Sequence, residues 1–291
     1  SCVRDERGPA AAAMNVADLL TEGAATLSAR EGLPHPRREA RWLLASALGR
    51  AEAWVLAHSE EQVPDALADL YRGWLARRAS GEPAHYIVGS CPFWGRQFTV
   101  TPAVLIPRPE TELVVECALA LPRPERPRVL DVGTGCGCLA VTLALDLPCS
   151  WVLATDLSLP AVDVARANAH RLGAVVGFTV GDLATHLKGP FDLVVANLPY
   201  VTDADIAGLP VEILRYEPRL ALAGGEDGTD LLKLLLADLP RLLATGGHAL
   251  LEMGPWQRTR LGEFTAASGL LEVQRGLDHA GIERVLVLRK G

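Results

Sequence analysis

The sequence predicts an α/β fold, a mostly parallel sheet with helices on both faces, preceded by a small helical domain. Three observations carry this. From Arg128 onward, short apolar strand patterns alternate with helical ones, the order that builds parallel strands joined by crossover helices. The first of those strands, Val129 to Val132, runs into a glycine-rich turn that opens a helix. Before Gly81, apolar residues recur at helical spacing.

Taken in order, Asn15 is placed to cap a helix carrying Val16, Leu19, Leu20 and Leu27, with Gly32 as its stop. Pro36 opens Arg37 to Leu48, and Gly49 follows it. Pro64 opens a further helix through Leu67, Tyr71, Trp74 and Leu75 that stops near Gly81. The period then changes. His85 to Gly89 and Gly95 to Val100 are expected to be two short strands around a turn. Two prolines around Arg108 stiffen Val104 to Glu112, and Pro109 starts a helix from Glu110 to Leu121. The alternating region follows, with strands at 129–132, 151–155, 178–180, 193–196 and 248–252. Its helices are expected at 136–145, 159–172, 230–243 and 257–268, and two last strands, 271–274 and 284–288, form an antiparallel edge hairpin. The expected organisation is an extension over residues 1–13, expected to be disordered, a helical docking domain over 14–82, a β-hairpin linker over 83–106 and the α/β domain over 107–291.

Composition narrows the function classes. The 291 residues are 49% hydrophobic and 22% charged, with a net charge of −7, ordinary values for a soluble globular chain. The acidic balance argues against binding dominated by phosphate neutralisation, so no stable nucleic-acid binding is expected. The six cysteines show no metal-ligand spacing, so no metal is expected and a reduced, cytoplasmic protein fits. No apolar run reaches the length of a membrane span. Ser1 to Ala13 lacks the apolar segment of a signal peptide.

The chemistry centres on Asn197-Leu198-Pro199-Tyr200, which follows the apolar strand Leu193 to Ala196. An amide, an exposed carbonyl and a flat ring past the carboxyl end of a strand are the parts that hold a planar NH2 group, an amide or a nucleobase amine. A strand ending in a tight turn is the competing explanation.

The loop Asp131-Val132-Gly133-Thr134-Gly135-Cys136-Gly137 supplies a second site. Its glycines permit a tight turn and close approach of a ligand to the backbone. A dinucleotide fingerprint places Gly or Ala at position 138, where Cys138 stands. Gly133, Gly135 and Gly137 instead have the spacing of class I S-adenosylmethionine methyltransferases, which this loop resembles. That resemblance implies a Rossmann-like, seven-stranded sheet. It also implies a cofactor held by Asp131, Gly133, Thr134, Gly135, Cys136 and Gly137, with Asp156 on the ribose and Asp182 and Leu183 at the adenine. Asp156 and Asp182 taken singly are equally explained as caps at strand-to-helix turns.

Across nearly its whole length the chain resembles the HemK/PrmC family, the protein-(glutamine-N5) methyltransferases of peptide chain release factors. The residues that carry this are Tyr86 to Gly89, Phe93 to Phe98, Val104 to Glu112, Asp131 to Gly137, Asn197 to Tyr200, Tyr216 to Leu222 and Gly224 to Gly228. The resemblance implies methyl transfer from S-adenosylmethionine, leaving S-adenosylhomocysteine, to the glutamine of the Gly-Gly-Gln tripeptide in bacterial class 1 release factors. Asn197, Leu198, Pro199 and Tyr200 are then the catalytic and substrate-binding residues, and Asn197 also borders the cofactor. The chain departs from the family pattern Asn-Pro-Pro-Tyr at Leu198, and Asn-Leu-Pro-Tyr is what rRNA adenine dimethyltransferases carry. Leucine keeps the backbone carbonyl, so the chemistry is expected to be retained. Ile106 to Glu112 is expected to close over the cleft, with Arg108 and Glu110 either functional or a structural ion pair. Glu252 is expected to be a buried structural group. Two rival functions remain, an N6-adenine methyltransferase acting on DNA or rRNA and a non-catalytic protein-binding module.

Overall fold

The first helix begins where its cap predicts. In the computed structural model, which describes residues 14–291, the Asn15 side chain accepts from the Asp18 amide at 2.8 Å. The Asp18 carboxylate accepts from the Asn15 amide at 3.3 Å, a reciprocal capping box that starts α1 (Val16–Ser28). The expectation for residues 1–13 lies outside the described residues. The chain divides into two units, one ending at Val88 and the other running from Gly89 to Gly291.

In the first unit α1 is followed by α2 (Pro36–Leu48), α3 (Glu52–Ala57), α4 (Asp65–Ala79) and α5 (Ala84–Val88). Proline at the first turn of α2 and left-handed Gly49 after its last set its limits. Buried Tyr71 of α4 ties three helices together. Its hydroxyl donates to the Ala40 carbonyl of α2 at 3.1 Å. It also occupies the space beside Gly23 of α1, where a Cβ would lie 1.8 Å from the Tyr71 oxygen. Helix α5 corrects an expectation, because residues 85–89 do not form a strand. The amides of Tyr86 and Ile87 donate to the Pro83 carbonyl at 3.0 and 3.1 Å, and the three-residue apolar run Tyr86 to Val88 carries too little periodicity to separate strand from helix.

The second unit opens on the hairpin β1 (Ser90–Phe93) and β2 (Arg96–Thr99). Trp94 and Gly95, both at positive φ, make its two-residue turn. The Trp94 indole donates to Asp146 at 2.7 Å, and Arg96 pairs with the same carboxylate at 2.5 Å. The Asn168 amide donates to the carbonyls of Thr99 and Cys136, both at 2.9 Å, and accepts from the Thr99 amide at 2.8 Å. The hairpin is thereby fastened to the α/β layer that carries the glycine loop.

After a single 3-10 turn at Pro109–Thr111 come α6 (Glu112–Ala120), β3 (Arg128–Val132), α7 (Cys138–Asp146), β4 (Trp151–Asp156), α8 (Leu159–Leu172), β5 (Val176–Val180) and β6 (Phe191–Ala196). Two short helices, α9 (Asp203–Ile206) and α10 (Val211–Tyr216), and a 3-10 turn at Arg219–Ala221 have no counterpart among the sequence expectations. They precede α11 (Asp230–Leu242), β7 (Leu243–Glu252), α12 (Gln257–Ala267), β8 (Leu271–Leu277) and β9 (Glu283–Arg289). The seven strands lie in the order β5-β4-β3-β6-β7-β9-β8. All neighbours are parallel except β9, which runs antiparallel to β7 and β8, so the expected edge hairpin is present. The apolar faces of β3 and β6 are wholly buried, as strands covered on both sides must be. No described helix is long and apolar enough to cross a membrane.

Replacing Asn168 with Ala leaves the Thr99 and Cys136 backbone groups unpaired, and a buried unsatisfied group costs about 1–3 kcal/mol. Denaturant unfolding should show a loss of that size. An unchanged midpoint would mean that the hairpin is held by its ion pairs alone.

Candidate active site

The topology fixes where a ligand can sit. From β3 the chain builds outward to β4 and β5 on one side and to β6 and β7 on the other, so the strand order reverses at β3. Open α/β sheets bind ligands in the crevice past the carboxyl ends of the strands at such a reversal. Here those ends are Gly133, Asp156, Gly181 and Asn197, and one cleft is lined by all four. Because Val132 pairs with Ala196, Gly133 and Asn197 leave the sheet side by side.

The glycine loop turns through three left-handed residues, Gly133 (φ 75°), Gly135 (φ 55°) and Gly137 (φ 84°). Each glycine has a different neighbour. A Cβ on Gly135 would meet nothing within 4 Å, one on Gly137 would lie 3.0 Å from the Ala165 Cβ of α8, and one on Gly133 would lie 2.8 Å from Leu198 Cδ2. Gly133, Thr134, Gly135 and Cys136 line the cleft, whereas Gly137 packs behind it against α8. Asp131 also lies behind the loop, fully buried. Its Oδ2 accepts from the Thr134 hydroxyl at 2.7 Å and from the Ala140 amide at 3.1 Å, while Oδ1 has no partner. Burial pushes this carboxyl up to about 7, and the two hydrogen bonds only partly offset that.

Asp156 closes β4 and shapes the same loop. One carboxylate oxygen accepts from the Gly135 amide at 2.9 Å and the other from the Ser158 amide at 2.9 Å, leaving lone pairs toward the cleft. Asp182 and Leu183 line the next corner, with Leu183 at φ 47°. Among the described residues the only charged ones lining the cleft are Asp156 and Asp182, and no described Lys, Arg or His reaches its wall. That donor set offers a nucleotide phosphate no counter-charge. It fits a cationic, hydroxyl-bearing ligand with an apolar ring, against Leu139, Leu157 and Ala161.

Asn197, Leu198 and Pro199 form the opposite wall. Asn197 donates through Nδ2 to the Thr111 hydroxyl at 2.9 Å. Neither its Oδ1 nor the Leu198 carbonyl accepts a hydrogen bond from any described residue. The Leu198 side chain is buried on Gly133. Tyr200 does not line the cleft; its ring is half-buried and meets Trp256 edge-on at 6.3 Å.

The Gly-Gly-Glu-Asp-Gly string acts from behind. A Cβ on Gly224 would lie 2.7 Å from Tyr200 Cα, and one on Gly228 within 2.4 Å of the Tyr200 carbonyl oxygen. Reciprocal bonds, Val201 amide to Leu222 carbonyl at 3.0 Å and Gly224 amide to Val201 carbonyl at 2.9 Å, bind the two segments. Asp227 accepts from Lys233 at 2.8 Å and caps Thr229, which anchors the string to α11.

Three contacts went unread in the sequence. Arg108 does not pair with Glu110 but with Glu217 at 2.6 Å, a carboxylate almost wholly buried that also accepts from the Ile106 amide at 3.4 Å. Thr111 meets Asn197. Glu252 ends β7 with its Oε2 buried and unpartnered, and burial pushes its carboxyl up to about 7. The signal for all three was the co-occurrence of two polar strings with no internal partner for their charges. Among the described residues no group of three or more His, Cys, Asp or Glu is arranged to hold a metal ion.

Comparison with known proteins agrees with this geometry. Residues 18–89 match the family model described as the PrmC N-terminal domain, and residues 110–225 match the methyltransferase small domain. A release factor glutamine methyltransferase of Bordetella pertussis is 44% identical over 253 residues, covering 86% of this chain and 93% of its own. A protein of the same description from Deinococcus radiodurans is 42% identical, covering 95% and 99%. Among solved structures, a methyltransferase from Pyrococcus furiosus superposes with a TM-score of 0.53 at 18% identity, over 74% of this chain and 97% of that one, which speaks for the fold alone.

Two expectations follow from the loop. Gly133→Ala forces a Cβ onto Leu198 at a left-handed backbone, and the Leu198→Ala exchange removes the colliding methyl. The double variant should therefore recover part of the lost stability, with a coupling of about 1 kcal/mol in a double-mutant cycle; strict additivity would show that the contact carries no energy. Asp131 holds its proton in the folded state well above its ordinary value of 3.8. The folded chain then binds more protons than the unfolded one between about pH 4 and 7, so this group lowers stability as pH rises through that window and no further above it. Asp131→Asn should reduce the slope of unfolding free energy against pH there, by up to about 1.4 kcal/mol per pH unit.

Proposed function

The chain belongs to the family of release factor glutamine methyltransferases, and on that ground we propose that it transfers a methyl group from S-adenosylmethionine to a glutamine side-chain amide. The acceptor is the glutamine of Gly-Gly-Gln in bacterial class 1 release factors. The observation that supports this most is the pair of unspent acceptors, Asn197 Oδ1 and the Leu198 carbonyl, set past the end of β6 beside the glycine loop.

Gly133, Thr134, Gly135 and Cys136 of the glycine loop, with Asp156, Asp182 and Leu183, would hold the cofactor. Asp156 takes the ribose hydroxyls, the apolar wall takes the adenine, and the acidic, base-free cleft favours the positive charge. S-adenosylmethionine supplies an electrophilic methyl group on its sulfonium, and S-adenosylhomocysteine is the product. The glutamine amide is a poor nucleophile because its nitrogen lone pair is delocalised into the carbonyl. Asn197 Oδ1 and the Leu198 carbonyl each accept one of its N–H bonds, which aims the lone pair at the methyl carbon and favours a pyramidal nitrogen. Pro199 biases Leu198 toward an extended conformation, and Tyr200, outside the cleft wall, anchors the loop through its backbone against Gly224 and Gly228. Positioning of this kind is worth roughly 7–11 kcal/mol without an acid or base in contact with the amide. The nitrogen loses its surplus proton after transfer. We further propose that the release factor docks on the N-terminal helical unit, the part that matches the PrmC N-terminal domain, and that the reaction runs in the cytoplasm.

Labelled S-adenosylmethionine should transfer its methyl group to release factor and not to the factor's Gln→Ala variant. Label on DNA or rRNA but not on release factor would replace this conclusion with adenine methylation. Asn197→Ala should lower kcat by at least about 100-fold at nearly unchanged cofactor affinity, measured by calorimetry. Leu198→Pro should remain active, because the carbonyl is kept and proline restores locally the restriction that packing on Gly133 provides; a dead variant would give the leucine side chain a part in the reaction itself.

A further inference from the structure

Two of the segments that wall the cleft come from far apart in the chain. Leu105 and Pro107 line it from the segment before α6, and Pro218 and Leu220 line it from the segment after α10. Arg108 and Glu217, 109 positions apart, join these segments. Arg108 follows Pro107 and Glu217 precedes Pro218, so each member of the ion pair stands next to a lining residue without lining the cleft itself.

We propose that Arg108 and Glu217 are positioning residues that clasp the two segments together and thereby set how fast the cofactor exchanges, an inference that rests on the cofactor reading above. Both oxygens of the Glu217 carboxylate are committed to one short stretch. Oε1 accepts from the Arg108 guanidinium at 2.6 Å, and Oε2 from the Ile106 amide at 3.4 Å. The backbones on either side are stiff. Arg108 and Glu217 each precede a proline, and both are extended, at ψ 144°. Each ion-pair residue therefore carries its neighbouring proline with it, and the lining follows the pair.

The two side chains differ in exposure, 2% for Glu217 and 31% for Arg108. A carboxylate so deeply buried is costly to leave without its counter-charge, which favours the closed arrangement. Arg108 is a third exposed and regains water as it lets go. The clasp opens from the Arg108 side, with Leu105 to Arg108 lifting as a stiff piece and water reaching Glu217 behind it. Pockets for small molecules enclose most of the ligand surface, so a ligand leaves only when the lining segments part. Closure of this kind commonly governs the rate of release.

The test follows labelled S-adenosylmethionine leaving the full chain, and amide hydrogen exchange in the cofactor-free chain. Arg108→Met, which keeps much of the stem and drops the charge, should raise the dissociation rate by about 10-fold or more. The same variant should speed exchange of the Leu105 and Ile106 amides. Arg108→Lys, which keeps the charge, should stay close to the wild-type chain in both readings. A lower unfolding temperature in Arg108→Met with unchanged dissociation and amide exchange would make the pair a bridge that stabilises the fold alone, and would overturn the clasp. So would an Arg108→Lys variant that releases the cofactor as fast as Arg108→Met. If Arg108→Met does not fold, Glu217→Gln, which keeps the shape and an acceptor for the Ile106 amide, is read in the same way. A wild-type chain that binds no S-adenosylmethionine overturns the cofactor reading instead, and amide exchange in the cofactor-free chain still decides the clasp.

Discussion

The parallel pairing of Val132 with Ala196 is the constraint on which the rest of this site depends. Because the two strands leave the sheet in register, the glycine loop and the acceptor loop start from adjacent points and share a wall. Gly133 has no side chain because Leu198 fills the space where one would be. A shift of one residue in that register would turn the side chains of β6 to the opposite face of the sheet. Asn197 would then face away from the cleft. The crossover connections and buried faces of β3 and β6 hold the register, so much of the core bears directly on the chemistry.

Around this pair the polar strings work in concert. Arg108 reaches Glu217, joining the segment before α6 to the segment after α10. Thr111 reaches Asn197 from the first of these, and Gly224 and Gly228 press on the Tyr200 backbone from beyond the second. Each contact alone is modest. Together they leave the acceptor loop few conformations, and two of its oxygens, Asn197 Oδ1 and the Leu198 carbonyl, accept from no described residue. The cost of ordering this loop is met when the chain folds, so any ligand that it meets is spared it.

Much of this was legible in the sequence, for physical reasons that can be named. The alternation of strand and helix, the caps at Asn15 and Gly49 and the glycine spacing are local signals, and the elements they mark are where they were expected. The edge hairpin followed from the short connection between the last two strands. Residues 85–89 are not the expected strand because three apolar residues fit either period, and the Pro83 carbonyl accepts the amides that start a helical turn. Helices α9 and α10 are a single turn or little more, too short for periodicity to register. Partnerships across the chain were the other gap. Asp131 was assigned to the cofactor by analogy, yet its hydrogen bonds go to Thr134 and Ala140 behind the loop. Glu217 and Thr111 were visible as residues, but their partners lie far along the chain, and no single stretch encodes such a contact.

Leu198 has a consequence for how this chain can change over generations. A proline at that position restricts the backbone by itself, whatever its neighbours are. A leucine does so by leaning on Gly133, so the two positions form a unit in which the order of change matters. A lineage carrying the leucine is barred from replacing Gly133 until the leucine has gone. A lineage carrying the proline meets at Gly133 only the penalty of its left-handed backbone. With leucine the rigidity is relational, and the loop after β6 holds a veto over the glycine loop after β3.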